Sequence, residues 1–155
     1  MKTSDPKEIA KAIEAKLKEI SESQILIGIP KEAMQTKDGK TFYLADIARV
    51  NNFGSKSRNI PARPFGTTLM PRFGKKIADF YKKEIATVLK GKRKLKAALN
   101  RIGFVAAGYM KQNLSTGKWK PNAPITIKMK GSAKPLIDTG QMRQAITWVI
   151  RKKKK

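Results

Sequence analysis

No cysteine and no histidine occur among the 155 residues of this chain. Without thiols there is neither a disulfide framework nor a thiolate nucleophile, and a reducing compartment is compatible. Without imidazole, Ser-His-Asp and Cys-His nucleophile systems and the ordinary zinc ligand sets are excluded. Long apolar runs are missing as well. The longest stretch free of charged side chains, Ile102 to Met110, is nine residues, whereas a membrane-spanning helix needs about 20. The opening MKTSDPKEIAK contains no apolar core of a secretion signal, so export is not expected.

Acidic residues are scarce too, 11 against 35 Lys and Arg, for a net charge of +24. The imbalance is uneven along the chain. Residues 1–70 carry 12 basic and 8 acidic side chains, giving +4, while residues 71–155 carry 23 and 3, giving +20. Such a field attracts polyanions, either nucleic acid or the acidic surface of another protein. Of the cations, 27 are Lys and 8 are Arg. Lys is a hydrated point charge and Arg the usual bidentate reader of guanine, so any DNA contact is expected at phosphates and not at base edges.

What is present suits one folded domain. Hydrophobic residues make up 40% of the chain, enough for a core at this length. Asp5-Pro6 reads as a helix N-cap followed by proline in the first turn. Ile9, Ile13, Leu17 and Ile20 then recur every three or four residues, predicting a helix with one buried stripe. Gln24 to Ile29 has the length and composition of a strand, Asp38-Gly39 is a turn signal, and Thr41 to Tyr43 suits a short strand. Leu44 to Asn52 has helical spacing, with Gly54 placed to end it. Residues 55–65, SKSRNIPARPF, are expected to be extended, because each proline pushes its predecessor out of the helical region. Two long helices are predicted over 67–90 and 93–114, interrupted at Gly91. Residues 117–134 read as a loop-rich stretch, Asp138 as the cap of a short helix over 139–144, and Ala145 to Ile150 as a last strand. The expected fold class is α+β: a small, mostly antiparallel sheet packed against two long central helices and an N-terminal helix. Residues 1–150 form the domain, and Arg151, Lys152, Lys153, Lys154 and Lys155 a basic tail.

Two patterns suggest catalysis and fail on context. Leu136-Ile137-Asp138-Thr139-Gly140 resembles the active-site turn of retroviral-type aspartic proteases, where two Asp share one proton. That fold needs a long β-rich stretch after the turn, and only 15 residues follow Gly140. Gly117-Lys118 would suit a phosphate-binding loop, but the positions that need Gly and Ser/Thr hold Gln112 and Trp119. The 11 basic residues between Arg72 and Arg101 face two acids on helices that also carry apolar stripes. They make either a solvated surface or a sequence-indifferent nucleic-acid face. No helix-turn-helix, zinc finger or aromatic RNA-binding motif is visible.

Three segments occur in an order that resembles the tail-completion proteins of tailed bacteriophages, a group that includes virion-morphogenesis and tail-terminator-like proteins. The first is Ala45 to Phe65, ADIARVNNFGSKSRNIPARPF, similar to a short helix, an Asn-x-Phe-Gly turn and Ile-Pro-Ala-Arg-Pro-Phe. The second is Gly117-Lys118-Trp119 with Pro121, Thr126 and Lys128, and the third is Pro135 to Ile146, PLIDTGQMRQAI. Asn52 stands where the family often has Glu, Met142 replaces Leu, and Ala145 replaces Ser. The lysine tail is not a family feature.

The resemblance implies a non-enzymatic structural protein of the virion, assembled in the host cytoplasm and needing no cofactor. It implies a ring of identical subunits at the head–tail junction, a hexamer being one closure, that caps the tail tube and meets head connector or stopper proteins. Genomic DNA crosses such a ring, and a basic lumen tolerates it without reading bases. Within that picture Asn59, Ile60, Pro61, Arg63, Pro64 and Phe65 form a rigid arm expected at subunit contacts. Asp138, Thr139 and Gly140 form a structural turn, and residues 151–155 are candidates for contact with DNA or an acidic neighbour. The alternative is a general nucleic-acid-binding protein that uses the basic half.

Overall fold

A computed structural model describes residues 5–153 and contains mixed helix and strand. Helix α1 (Pro6–Glu22) begins as its sequence predicts, the Asp5 carboxylate accepting a bond from the Lys7 amide at 3.0 Å. It runs directly into strand β1 (Ser23–Gly28), which pairs antiparallel with strand β4 (Thr147–Lys152). Alternation along this ribbon puts Ile25, Ile27, Trp148 and Ile150 inward and leaves Leu26 and Val149, directly opposite each other, exposed. A second ribbon joins β2 (Met34–Lys37) to β3 (Lys40–Tyr43). Asp38 and Gly39 turn it with φ of 51° and 71°, the twist a two-residue hairpin requires. The antiparallel strands thus form two separate two-stranded pieces.

Helix α2 (Leu44–Phe53) follows without a loop. Helices α3 (Leu69–Leu89) and α4 (Leu95–Thr116) pack on each other, and α4 also underlies the β1–β4 ribbon. Pro71 sits in the first turn of α3, where its missing amide N–H costs nothing. Small residues on α4 let neighbours approach: Ala98, Ala106 and Ala107 are buried, and the Trp148 ring lies over Gly103, where a Cβ would stand 2.2 Å from it. The Trp148 indole donates to Asn100 Oδ1 at 3.2 Å.

Two expectations need correction. The stripe on α1 is not buried: Ile9, Ile13 and Leu17 are 47%, 38% and 48% exposed. Only Ile20 reaches the core, because α1 meets the rest of the chain at its C-terminal end, where it enters β1. Within the loop-rich stretch 117–134, Pro124–Lys130 forms a short helix, α5, closed by Gly131 at φ 66°. The boundary at 150 is also misplaced. Arg151 and Lys152 belong to β4, opposite Gln24 and Ser23, and the Lys153 amide donates to Glu22 O at 2.7 Å. Backbone pairing overrides the charge of those side chains, which stay exposed. Lys154 and Lys155 lie outside the described residues.

Candidate functional site

Gly54 ends α2 at φ 78°, and a Cβ there would stand 2.8 Å from the Ala62 amide nitrogen and 2.9 Å from Ile60 O. Only glycine lets the chain reverse this tightly against its own backbone. Ser55 and Ile60 exchange two backbone bonds of 2.8 and 2.9 Å, closing a loop whose corner residue Asn59 has φ 50°. The chain then returns along α2, the Arg63 amide donating to Asn51 O at 2.7 Å. Asn52, buried, accepts from the Gly66 amide at 2.8 Å and fixes the far end of the arm.

Arg63 and Phe65 are only 5% and 2% exposed, so neither side chain is presented to a neighbouring subunit. This corrects the expectation for the arm. The physical reason is that residues alternate along the extended segment: Arg63 and Phe65 turn inward, while Ala62 is exposed and Pro64 half-buried. Asn59 is exposed, and Ile60 and Pro61 are half-buried. Phe65 joins the core with Leu69, Phe73 and Leu114.

Arg63 ties together segments far apart in sequence. Its Nε donates to Lys120 O at 2.9 Å, Nη1 to Asn51 Oδ1 at 3.2 Å, and Nη2 to Pro121 O at 3.1 Å and Asn122 Oδ1 at 3.0 Å. All four acceptors are neutral, and no carboxylate pairs with it among the described residues. Burial pushes the Arg63 pKa down. The loop that supplies the carbonyls is positioned by Trp119, which covers Gly117 so closely that a Cβ there would stand 2.0 Å from the ring. The Trp119 indole donates to Leu114 O at 2.9 Å.

A cleft of about 480 Å³ opens beside this knot. It is lined by Asn59, Ile60, Pro61 and Arg63, by Ile125 and Lys130 of α5, and by Leu136, Asp138, Thr139 and Gly140. Residues 59–63 and 136–140 thus share one cleft, with Asn122 and Ala123, which follow the Trp119 loop, also lining it. Two of the non-glycine residues with positive φ, Asn59 and Leu136 (63°), line this cleft. A branched aliphatic residue at positive φ is strained and persists only where its surroundings fix it, and Leu136 is buried.

Asp138 does not cap the short helix, which corrects the expected role. Helix α6 (Gln141–Gln144) starts two residues too late, its cap position is Gly140, and the hydroxyl that meets the first amide belongs to Thr139, at 3.4 Å from Gln141 N. The Asp138 carboxylate instead accepts from Lys37 Nζ at 2.9 Å, joining the β2–β3 hairpin to the cleft rim. That contact raises the Lys37 pKa. Lys130 is pushed the other way, first by burial and then by Arg63 and Lys37, with Asp138 opposing.

A second polar knot lies beneath the arm. Asn113, fully buried, donates to Phe65 O at 2.6 Å and Thr68 Oγ1 at 3.0 Å and accepts from Arg72. Asn51 is the first residue of the Asn-x-Phe-Gly element, but Asn113, Asn122 and Lys130 carry no signal in the sequence, because single polar residues have no periodicity.

No family model, no curated sequence and no solved structure matches this chain. Among the described residues no helix is long and apolar enough to cross a membrane, and no cluster of acids forms a metal site.

Proposed function

We propose that the chain is a structural subunit of a tailed-phage neck, a tail-completion or tail-terminator-like protein that works by assembly into a ring. The observation that carries this reading is the convergence of the resembling segments. Residues 59–65 and the Gly117–Trp119 segment are separated by 51 residues in the sequence, and that segment and residues 135–146 by 15, yet Arg63 bonds the stretch directly after Trp119 and shares one cleft with Leu136 to Gly140. A shared three-part pattern has a reason to exist if its parts hold each other. Unpartnered apolar surface also supports assembly: Ile9, Ile13 and Leu17 on α1, and Leu26 with Val149 on the outer face of the ribbon. With Arg63 and Phe65 internal, these surfaces are the candidate subunit contacts in this reading. Tail tube protein and head connector or stopper proteins are the neighbours in this reading.

Mass measurement of the purified protein, alone and with tail tubes, tests it. A closed oligomer, or a monomer that assembles on tube ends, is expected. A monomer that stays monomeric in the presence of tubes sinks the reading.

The basic half supports a second reading, non-specific nucleic-acid binding. Arg151, Lys152 and Lys153 project from the end of β4 as an exposed row. Binding by phosphate contact releases counterions, so affinity should fall with salt at a log–log slope of about −0.9 per phosphate. Two unrelated duplexes should bind alike. A chain ending at Ile150 should show a flatter slope if the row touches DNA, and an unchanged slope removes the row from that role.

A further inference from the structure

The Arg63 guanidinium is a buried cation that faces only neutral oxygens. A guanidinium has five N–H donors, and four have partners, leaving one on Nη1 without any among the described residues. Burying a charge without an opposite charge is costly unless something supplies it. Two more cations, Arg58 and Lys130, line the same cleft. Its one acid, Asp138, is already held by Lys37. The cleft therefore carries more positive than negative charge.

The geometry points to a peptide-docking cleft that takes an acidic side chain, flanked by apolar residues, from an extended segment of a partner protein. The carboxylate would lie between Lys130 and Arg58 in the field of Arg63, where charge-assisted bonds are strongest. The apolar flanks would meet Ile60, Pro61, Ile125 and Met142 on the walls. Ile125 and the adjacent Met129 are 69% and 78% exposed on the short helix α5, and methionine adapts to varied apolar surfaces.

Charge and shape choose a protein over nucleic acid. A space of about 480 Å³ admits one or two side chains of a strand, whereas a duplex groove is about 12 Å wide and meets its partner along a convex row of phosphates. The Asp138 carboxylate on the rim opposes a run of phosphates and tolerates a single carboxylate already neutralised by its neighbours. The inference does not depend on ring formation and stands or falls on the monomer.

The test uses the full chain and a blocked peptide, acetyl-Leu-Asp-Ile-Leu-amide, with its Asp-to-Asn counterpart, followed by amide chemical shifts in NMR titrations. The acidic peptide should bind about tenfold more tightly than the neutral one and shift residues 58–63 and 125–140. Lys130→Met and Arg58→Gln should each weaken it about fivefold, while Lys83→Gln, which removes an exposed charge from α3, should not. Equal affinity for the Asp and Asn peptides would overturn the proposal. So would an equal loss in Lys83→Gln, which would mean attraction to net charge alone. Glutarate binding as tightly as the peptide would make this a small-anion site, and displacement of the peptide by a short duplex would make it a phosphate site; either result overturns the peptide assignment.

Discussion

The two ends of the α3–α4 pair are held together by different means. At one end Ile85, Val88, Leu95, Leu99 and Ile102 pack with Ile20, Ile25 and Ile150 in an aliphatic cluster. Its one buried charge, Glu84, is met by Arg93 at 3.2 Å and Arg101 at 3.0 Å, both close in the fold and in the chain. At the other end Leu44, Phe65, Phe73, Leu114 and Ile146 form a cluster laced with buried Asn52, Arg63, Asn113 and Asn122. Hydrophobic burial is non-directional and forgives exchanges of similar volume. Buried polar bonds are directional and fail as a set when one member is lost. The aliphatic end therefore tolerates exchanges of similar volume, and the polar end, which fixes where the arm, the Trp119 loop and the 136–140 turn must lie, does not.

The strongest way to break this contrast is Arg63→Ala. It leaves the buried Asn122 acceptor unmet, at about 1–3 kcal/mol, and removes three part-buried bonds to Lys120, Pro121 and Asn51, at about 0.5–1.5 kcal/mol each, so the loss should reach about 3–5 kcal/mol. Urea unfolding measures it. Arg63→Lys should recover little of the loss, because an ammonium cannot reach four acceptors as the planar fork does. A variant as stable as the wild type would mean that the arm is merely routed past α2. Next in size is Asn113→Leu, which keeps the heavy-atom branching, though with bulkier methyl groups, and removes the bonds to Phe65, Thr68 and Arg72. A loss of about 1–3 kcal/mol is expected. In the aliphatic cluster Leu99→Met should cost less than about 1.5 kcal/mol, although Leu99 is as deeply buried as most of the core. If the Leu99 variant proves the costlier of the two, the division of labour is wrong.

The same contrast explains what could be read from the sequence. Periodicity reports apolar stripes, so α3, α4, the β1 run and the strand before Arg151 were all visible in it. It also promised a buried stripe on α1, because a stripe says that a face is apolar and not what covers it. The hairpin partner β2 (Met34–Lys37) was invisible, since MQTK has no apolar alternation and owes its strand to pairing with β3. At the cleft, Asp-Thr-Gly suggested a cap, and the true partner, Lys37, is 101 residues away. The two prolines around Arg63 mark an extended segment, but the direction of its side chain depends on partners far off in sequence, Asn122 and the Lys120 and Pro121 carbonyls, which no local pattern announces.

A smaller effect separates the two charges at the cleft. Burial and nearby cations lower the Lys130 pKa, so the folded state binds its proton less well than the unfolded chain does. The resulting penalty is complete below the lowered value and disappears as pH rises past the ordinary 10.5. Lys130→Met should therefore be slightly more stable than the wild type near neutral pH, and the two should converge in alkali. A fixed difference at all pH values would trace the gain to packing and not to charge.

The smallest expected effect is that of Asp138→Asn, and it distinguishes a rim contact from a cap. A cap substitution costs about 0.5–2 kcal/mol, but the Asp138 carboxylate is bonded to Lys37 across a solvent-exposed gap and not to the first turn of α6. Exposed pairs contribute little, so the thermal midpoint at neutral pH should stay within measurement error. The sharper readout is alkaline. Asp138 holds the Lys37 pKa up, first through the hydrogen bond and then through its charge. Whatever the pair contributes is present below the unfolded value of Lys37 and is lost as pH rises through the raised folded value. That decline should be missing in Asp138→Asn, leaving its alkaline limb flatter than that of the wild type. A drop of the size expected for a cap, with the alkaline limb unchanged, would return Asp138 to the helix start. Peptide cleavage that vanished in the variant would instead revive the protease reading of Asp-Thr-Gly.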